Sequence, residues 1–347
     1  MGILSNNRCI VGMSGGVDSS TSAALMKERG FEVIGCTLRM FDAEKVELSI
    51  ENAKRVADFL KINHEIIDCR QKFGNCVLST FVKSYICGLT PNPCVLCNKF
   101  VKFEYLNLFR LKYDASLIVT GHYAQIFRDD ESIILKQAED SNKDQSYFLY
   151  GVDREILKFT FFPLGAHTKT HTRELARKFG LHVADSSESQ DICFLINENY
   201  ASYIKKHAPS SCIPGNIIDF SGNTIGRHSG IINYTVGQRK GLGLSGGPFF
   251  VSDINAEKND IVVSKKRRLA VTKIFLEDTC FLNEEYLGEC LVKVRSSGPK
   301  ISAKIIKESN GYCAELRQQE HGVAKGQHCV FYQENVVLGG GRINSVN

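Results

Sequence analysis

The sequence predicts an α/β protein whose parallel-sheet domain is followed by two smaller β-rich domains. Short apolar runs alternate with helical stretches over about the first 195 residues, which is typical of a parallel sheet covered by helices on both faces. Glycine becomes frequent from about Pro214, and short alternating runs spaced by turn residues begin near Leu269. We therefore expect three domains, namely an α/β domain at residues 1–200, a central adaptor domain at 201–268 and a C-terminal antiparallel β-barrel at 269–347.

The first domain is predicted from apolar runs for its strands and from apolar residues at helical spacing for its helices. The predicted strands are Arg8–Met13, Phe31–Leu38, Asn63–Cys69 and Ala115–Tyr123. The predicted helices are "SSTSAALMKERG", "ELSIENAKRVADFLKI" and "TRELARKFG", and further helical stretches surround the C-x-x-C pair "PCVLC". Because strands and helices alternate along the chain, neighbouring strands should run parallel.

The two later domains are predicted from turn residues and partial alternation. The central segment contains "IGRHSGIINYTVGQRKGLGLSGG", whose glycines favour tight turns in a small β-rich module. The barrel is predicted from five runs: "CLVKVRS", "KISAKIIK", "YCAELR", "HCVFY" and "VVLGGGRI".

The composition is that of a globular protein. Of the 347 residues 43% are hydrophobic and 23% are charged, and no apolar run approaches the roughly 18 residues that a membrane span requires. The start of the chain passes almost directly into a strand and lacks the apolar core of a signal peptide, so we expect a cytoplasmic protein with no membrane partner. The 13 cysteines are odd in number and scattered, which favours reduced thiols over a disulfide framework.

The positive charge is concentrated in the second part of the chain. Residues 1–195 carry 24 basic and 24 acidic side chains, whereas residues 196–347 carry 19 and 14, which accounts for the whole net charge of +5. This distribution is compatible with a polyanionic partner and equally with an ordinary solvated surface. The run "KKRR" at Lys265–Arg268 has the same two interpretations, as a phosphate contact or as a solvated linker face.

The segment "GMSGGVDSS", Gly12–Ser20, is the clearest ligand-binding signal. It lies between the first predicted strand and the first predicted helix, where adjacent glycines admit a ligand and the helix start offers N–H groups and a positive dipole end. It is not a Walker A loop, because the lysine of that motif is missing. We therefore expect an anion cradle of a different class.

The complete string S-G-G-x-D-S-S resembles the PP-loop pyrophosphatase family, which cleaves ATP between its α and β phosphates and adenylates an oxygen of its substrate. The resemblance implies ATP and Mg²⁺ as cofactors, with Asp18 either helping to hold the metal or capping the helix. Leu38, at the end of the second strand, could pack on the adenine, and Gly121 could admit the backbone nearby. The implied nucleotide site is Gly12, Met13, Ser14, Gly15, Gly16, Val17, Asp18, Ser19, Leu38 and Gly121.

Further motifs, in this order and spacing, resemble the tRNA-specific 2-thiouridylase family over nearly the whole chain. They are "TPNPCVLCNKFVKF", "TGHYA", "KDQSYFLY", "SQDICFL", "YTVGQRKGLGL" and the terminal "LGGGRI". The resemblance implies that ATP adenylates the C2 oxygen of the wobble uridine in tRNAs for Lys, Glu and Gln. Sulfur then replaces that oxygen, and AMP leaves.

The resemblance also implies roles for two cysteines. Cys97 matches the family's nucleophile, and Cys193 matches the residue that carries the persulfide, so that a disulfide between them follows sulfur release. This chain has Cys94 where the family commonly has Asp, which leaves an alternative in which Cys94, Cys97 and Cys193 hold a 4Fe–4S cluster. The sulfur donor implied is a cysteine desulfurase or a persulfide relay protein.

Three groups of residues match positions that contact tRNA in the family, and a fourth place, Arg295–Ser296, matches in part; the partner there is the anticodon stem-loop. From residue type alone each would be an ordinary surface polar residue. Ser296 departs from the family, which usually has Tyr there. The residues at these positions are Asn92, Pro93 and Cys94 at the target base, and His122, Lys143, Asp144, Gln145, Arg295, Ser296 and Gln327 at the tRNA.

Three other functions remain as alternatives. A structural zinc site would need a second close pair of ligands, which does not follow Cys87. A different PP-loop ligase acting on a small molecule would not need the two matched cysteines, and a simple RNA-binding module would not need the nucleotide loop.

Overall fold

The computed structural model describes residues 6–128, 132–186 and 192–347, which fold into two compact units. Unit 1 comprises Met1–Val77, Cys94–Gln190 and Asn335–Leu338, and unit 2 comprises Leu78–Pro93, Asp191–Glu334 and Gly339–Asn347. Both β-rich modules lie in unit 2. The division into three domains with boundaries at residues 200 and 268 stays a prediction.

The helices and strands are numbered in chain order. The helices are α1 Val17–Glu28, α2 Glu44–Leu60, α3 Arg70–Phe73, α4 Ser79–Ile86, α5 Pro93–Cys97, α6 Phe103–Lys112, α7 Arg154–Leu157, α8 Lys169–Lys178 and α9 Tyr200–His207. The strands up to the end of the central module are β1 Arg8–Gly12, β2 Glu32–Arg39, β3 Asn63–Asp68, β4 Leu117–Val119, β5 Ala124–Arg128, β6 Ile133–Gln137, β7 Thr160–Phe161, β8 Gly215–Ile218, β9 Thr224–His228, β10 Phe250–Asn255 and β11 Asp260–Ser264. The later strands are β12 Ala270–Phe281, β13 Gly288–Lys293, β14 Ile301–Glu308, β15 Gly311–His321, β16 His328–Gln333 and β17 Val336–Val346.

Unit 1 is built on a parallel sheet of strand order β3-β2-β1-β4-β7, which confirms the predicted α/β class. Val11 of β1 is paired with Gly35 on one side and with Val119 on the other. The strand order reverses at β1, so the crevice used by ligands in open α/β sheets should lie at the carboxyl ends of β1 and β4. The predicted phosphate loop follows β1 directly.

The sheet is buried because its central strands are apolar and its helices present apolar or small residues to it. Cys9, Ile10 and Val11 are fully buried in β1. Helix α2 buries residues spaced by three or four positions, which gives one apolar stripe along the helix. These residues are Ile50, Ala53, Val56, Ala57 and Leu60.

A β-hairpin that the apolar pattern did not predict lies in the chain between β4 and β7 of unit 1. Strands β5 and β6 are antiparallel, with Ile126 paired with Leu135. The edge of β6 is covered because Val336 and Val337 at the start of β17 pair with it. The run "VVLGGGRI" therefore pairs with β6 at its start, in addition to forming a strand of the barrel.

Unit 2 contains a four-stranded sheet and a six-stranded antiparallel barrel, which confirms the predicted β-rich second half. The small sheet has the order β10-β11-β8-β9, and β11 and β8 run parallel. The barrel has the order β12-β15-β14-β13-β16-β17 and is closed by pairing of β12 with β17. Its interior is filled by alternating apolar residues, among them Ile274, Val292, Ala303, Ile305 and Phe331.

Within the part of the chain that the structure describes, no helix has the length and hydrophobicity needed to cross a bilayer.

Candidate active site

The loop between β1 and α1 has the backbone geometry of an anion cradle. Gly15 has φ of +73°, and a Cβ atom there would lie 2.2 Å from the carbonyl oxygen of Ser49, so only glycine fits. Gly16 is the N-cap residue of α1 and provides no side chain to cap the helix. The first turn of α1 therefore presents main-chain N–H groups and the positive end of the helix dipole.

The serine hydroxyls of the loop fall into two groups. Ser20 is buried and donates to the carbonyl oxygen of Gly16 at 2.8 Å, which fixes the helix start. Ser14 is exposed, and its hydroxyl lies 3.2 Å from that of Ser19. Ser19 is buried, and its hydroxyl accepts from the Ser14 N–H at 3.0 Å and lies 3.2 Å from the Gly16 carbonyl oxygen. Ser14 is thus the exposed hydroxyl that can meet an oxyanion, whereas Ser19 and Ser20 both fix the loop.

Asp18, in the first turn of α1, is held by two residues that the sequence analysis did not identify. Lys169 Nζ lies 2.6 and 2.8 Å from its two carboxylate oxygens, and the Tyr123 hydroxyl donates to Oδ1 at 2.9 Å. Asp18 does not cap α1, so that alternative is wrong. No pattern around Lys169 marks it, because its role depends on packing of α8 beside α1.

The remaining predicted nucleotide residues line the same edge of the sheet. A Cβ atom on Gly121 would lie 2.8 Å from main-chain atoms of Asp18 and Ser19, so β4 ends in close contact with the start of α1. Met13 is fixed because its N–H donates to Cys36 and its carbonyl oxygen accepts from Thr37. Leu38 is half-buried near the end of β2, and Val17 is buried.

The C-x-x-C pair lies on the short helix α5, in which Cys94 and Cys97 are three residues apart and share one face. Cys97 is 9% exposed, and its Sγ lies 3.6 Å from the sulfur of Met40. Burial raises the pKa of Cys97 to about 11, with the Lys102 ammonium opposing the shift. Burial also raises the pKa of Cys94, so both groups are neutral thiols near neutral pH.

The segment after α5 is a π-helical turn, Asn98–Lys102, which continues into α6. Such turns interrupt the regular hydrogen-bond ladder and are frequent at functional sites. The Asn98 amide donates to the carbonyl oxygen of Phe148 at 3.0 Å, which anchors the turn within unit 1.

His122 lies between Thr120 and Phe103 at the carboxyl end of β4. Its Nδ1 is 2.7 Å from the Thr120 hydroxyl, and its ring stacks on Phe103 with centroids 5.8 Å apart. Burial and the positive charge of Lys102 lower the pKa of His122 well below its usual range. His122 is therefore a neutral imidazole, suited to donating or accepting a hydrogen bond.

In the "KDQ" segment, which is predicted to contact tRNA, the side chains of Asp144 and Gln145 form hydrogen bonds within the protein. The Asp144 carboxylate accepts from the main-chain N–H groups of Ala138 and Ser146 and from the side chains of Gln137 and Ser146. Gln145 Oε1 accepts from the N–H of Tyr123 at 3.0 Å. Both residues thus position the segment that carries Tyr123, and Lys143 is half-exposed beside them.

Cys193 lies in unit 2 and is exposed. The next residue, Phe194, is buried against Phe81 and Tyr203 with ring centroids 5.1 and 5.2 Å apart. Phe194 thus anchors the chain beside an accessible thiol. Residues 189–191 of the motif "SQDICFL" lie outside the described residues.

Gln327 has a specific partner in unit 2. Its Nε2 donates to the carbonyl oxygen of Thr90 at 3.1 Å and lies 3.5 Å from that of Pro91. The Lys325 carbonyl oxygen also accepts from the Thr90 N–H at 2.8 Å. These bonds position the chain leading to Asn92, which is 9% exposed, and to Pro93.

Arg295 and Ser296 follow β13, and both are half-exposed. The Arg295 guanidinium lies 3.7 Å from a carboxylate oxygen of Glu320, a long ion pair that leaves much of the group accessible. Thus unit 1 contains the nucleotide residues with Cys94, Cys97, His122 and Lys143–Gln145, and unit 2 contains Asn92, Pro93, Cys193, Arg295, Ser296 and Gln327.

Metal-binding clusters are not found in the described ranges. No three His, Cys, Asp or Glu side chains there are grouped so that they could hold a metal ion. None of the 13 cysteines, all of which lie in the described ranges, forms a disulfide bond.

Three family models match the chain in succession. Residues 7–197 match a model described as a tRNA methyl transferase HUP domain. Residues 201–265 match a tRNA methyl transferase PRC-barrel domain, and residues 271–343 match an aminomethyltransferase beta-barrel domain.

Curated relatives match over almost their full length. The chain is 40% identical over 351 residues to tRNA-specific 2-thiouridylase MnmA 1 of Clostridium tetani, covering 98% of this chain and 97% of the relative. It is 39% identical to tRNA-specific 2-thiouridylase MnmA of Clostridium beijerinckii, covering 98% and 99% of the two chains. It is 41% identical to the MnmA protein of Rhodopseudomonas palustris strain CGA009, covering 98% and 91%.

Proposed function

Because the chain belongs to the tRNA-specific 2-thiouridylase family, we propose that it is an ATP-dependent tRNA-uridine 2-sulfurtransferase. It replaces the C2 oxygen of the wobble uridine with sulfur in tRNAs for Lys, Glu and Gln. The observation that carries the proposal is the full-length similarity together with a loop whose backbone fits an oxyanion but not a side chain at Gly15.

The nucleotide step would use the loop between β1 and α1. A uracil carbonyl oxygen is a poor leaving group, and joining it to AMP converts it into a good one. The N–H groups at the start of α1 and the hydroxyl of Ser14 would hold the phosphates of ATP and stabilise the charge on the departing pyrophosphate.

Magnesium would be bound through Asp18, which is the acidic residue of the loop. Its carboxylate accepts from Lys169 and Tyr123, and it is accessible enough for one oxygen to bind a cation as well. Mg²⁺ would supply positive charge at the phosphates of ATP. The Lys169 ammonium supplies a positive charge beside the Asp18 carboxylate.

The sulfur step would divide between an exposed and a buried thiol. Exposed Cys193 receives sulfur as a persulfide from a cysteine desulfurase or relay protein. Cys97, once deprotonated, attacks Sγ of Cys193, and the S–S bond of the persulfide breaks. The terminal sulfur leaves with the electron pair, attacks C2 of the adenylated uridine and displaces AMP. Two equivalents of an external thiol then reduce the resulting disulfide between Cys97 and Cys193 and are themselves oxidised to a disulfide.

An iron–sulfur cluster fits the described residues poorly. A third close ligand is missing from the groups that the described residues form. We therefore derive no step through a cluster, and Cys94 is a half-buried neighbour of the proposed nucleophile.

Recognition of the anticodon stem-loop would use residues from each unit separately. In unit 1, Lys143 would contact a phosphate, and the neutral His122 would contact the RNA by hydrogen bonding. In unit 2, Arg295 provides an accessible guanidinium, and Gln327 positions the segment before Asn92 and Pro93, which would contact the target base.

The proposal is tested by incubating the protein with ATP, a persulfide donor and unmodified tRNA, followed by nucleoside analysis. We expect 2-thiouridine with the wild type and none with Cys193→Ala, which should still bind ATP. Normal thiolation by Cys193→Ala would refute the sulfur route, and absence of thiouridine with the wild type would refute the function itself.

A further inference from the structure

The central module of unit 2 contains a cavity that the proposed site does not include. Its volume is about 360 Å³, and it is lined by Arg239, Leu242, Leu244, Pro248, Phe249 and glycine backbone. Leu242 is buried and forms an apolar floor, whereas Arg239 is exposed. The cavity therefore joins an apolar surface to a cationic rim.

A second cation lies on the same rim. The Lys265 ammonium donates to the carbonyl oxygen of Gly246 at 3.1 Å and lies 4.5 Å from the centre of the Phe249 ring. Because Phe249 also lines the cavity, Lys265 lies beside a wall of the same cavity that Arg239 lines.

The positive surface continues along the next turn of the chain. Residues Lys266–Leu269 form a 3₁₀-helix, and the Arg268 N–H donates to the Lys265 carbonyl oxygen at 3.0 Å. Side chains three residues apart in such a turn point to the same side. The Arg268 guanidinium lies 3.9 Å from the centre of the Phe220 ring, which is 63% exposed. We call Arg239, Lys265, Arg268, Phe220 and Phe249 the cationic surface.

The basic residues here differ from those of the barrel in their counter-charges. Within the described residues, no carboxylate forms an ion pair with Arg239, Lys240 or any residue of Lys265–Arg268. In the barrel, by contrast, Lys307 is paired with Glu285 and Arg317 with Glu289. Unpaired cations on one surface repel one another, and an external polyanion would neutralise them.

We propose that the cationic surface binds the sugar–phosphate backbone of tRNA, with one unpaired base against Phe249. This inference rests on the proposed function, which supplies tRNA as the partner. Cations interleaved with aromatic rings are the combination by which proteins follow a nucleic-acid strand, whereas an acidic protein would not need the rings or the cavity.

Salt dependence of tRNA binding provides the test. The full-length variant Lys265→Gln/Arg268→Gln loses two unpaired cations, and the matched control Lys307→Gln/Arg317→Gln loses two paired ones. Binding of labelled unmodified tRNA is measured over a range of salt concentrations, with melting temperatures as a check on folding. We expect the slope of log affinity against log salt to fall by about two units in the first variant only. Phe249→Leu should weaken binding at an unchanged slope.

Three results would overturn the proposal. Equal slopes and affinities for the wild type and Lys265→Gln/Arg268→Gln would remove it. Unchanged tRNA binding with slower sulfur transfer from a donor protein would assign the surface to that protein instead. A wild type that thiolates tRNA normally while the two double variants lose slope equally would show a general charge effect. A wild type that neither binds nor thiolates tRNA would refute the proposed function itself.

Discussion

The ammonium of Lys169 is bonded to both carboxylate oxygens of Asp18, at 2.6 and 2.8 Å, in unit 1. Lys169 is 9% exposed and begins α8, whereas Asp18 lies in the first turn of α1. Tyr123 donates to the same carboxylate and lies 3.0 Å from Thr172 of α8. The phosphate loop is therefore attached to α8 by a buried polar cluster, and its one carboxylate has a fixed cation beside it.

Replacing Lys169 should impair the nucleotide step. Lys169→Met leaves Asp18 without its cation, and we expect formation of AMP and pyrophosphate to fall about a hundredfold, as for loss of one preorganised charged donor. The free energy of unfolding should fall by about 1–3 kcal/mol, because a partly buried charged group loses its hydrogen bonds. Lys169→Arg should retain part of the activity.

Lys178→Met is the matched control on the same helix. Lys178 is exposed, and its ion pair with Glu28 is long, at 3.8 Å. This variant should retain both stability in urea and pyrophosphate release. Equal behaviour of Lys169→Met and Lys178→Met would show that the Asp18 pair has no role in the nucleotide step.

Adding a single methyl group at Gly121 should disturb the phosphate loop. A Cβ atom there would lie 2.8 Å from main-chain atoms of Asp18 and Ser19, so the start of α1 must move. We expect Gly121→Ala to weaken ATP binding at least tenfold, a change of about 1.4 kcal/mol. Gly74→Ala is the control, since a Cβ atom there meets no atom within 4 Å. ATP affinity is measured by calorimetry, and wild-type affinity in Gly121→Ala would contradict the close contact.

The reactivity of Cys97 should rise steeply with pH. Burial raises its pKa to about 11, so the neutral thiol predominates below that pH and only the thiolate is alkylated. The alkylation rate, followed by peptide mass spectrometry, should increase about tenfold per pH unit below the pKa. Lys102 lowers the pKa of Cys97, so Lys102→Gln should slow alkylation at every pH in this range. A titration of Cys97 near the range of an exposed thiol would show that it is not buried in solution.

Gln327→Ala tests whether this residue acts by positioning the segment before the target-base residues. The amide donates to Thr90, and its loss should loosen residues 90–93 and lower kcat/KM for thiolation. Because no phosphate contact is removed, the salt dependence of tRNA binding should stay as in the wild type. Gln318→Ala, at an exposed position of β15, is the control. A reduced salt slope in Gln327→Ala would instead indicate direct contact with a phosphate.

Much of the fold could be predicted because it follows from local pattern. The strands β1, β2 and β3 and the helices α1 and α2 were predicted within a few residues, since β1 and β2 are largely apolar runs and α2 has an apolar stripe. The hairpin β5–β6 was missed, because its second strand depends on pairing with Val336 and Val337, about 200 residues away in the sequence. A prediction that gives each apolar run one place in one sheet could not show that β17 pairs with β6 as well as with its barrel neighbours β12 and β16.

The candidate site shows the same division. The glycines of the phosphate loop were identified because a tight turn before a helix has a local signature. Lys169 and Tyr123 were missed, since both contact Asp18 through the fold of unit 1 and neither lies near Asp18 in the sequence. Asp144 was predicted to contact tRNA, and its four hydrogen bonds within the protein add a structural role that only the fold reveals.

The most direct test of the proposed function is the stoichiometry of a single turnover. The wild-type protein, loaded with a persulfide on Cys193, is mixed with ATP and unmodified tRNA for Lys, Glu or Gln. AMP, pyrophosphate and 2-thiouridine are then quantified, and the modified position is mapped by nuclease digestion. The account predicts equal amounts of the three products, with sulfur confined to the wobble uridine and no thiouridine from Cys97→Ala. Thiouridine at another position, ADP in place of AMP, or full activity of Cys97→Ala would contradict it.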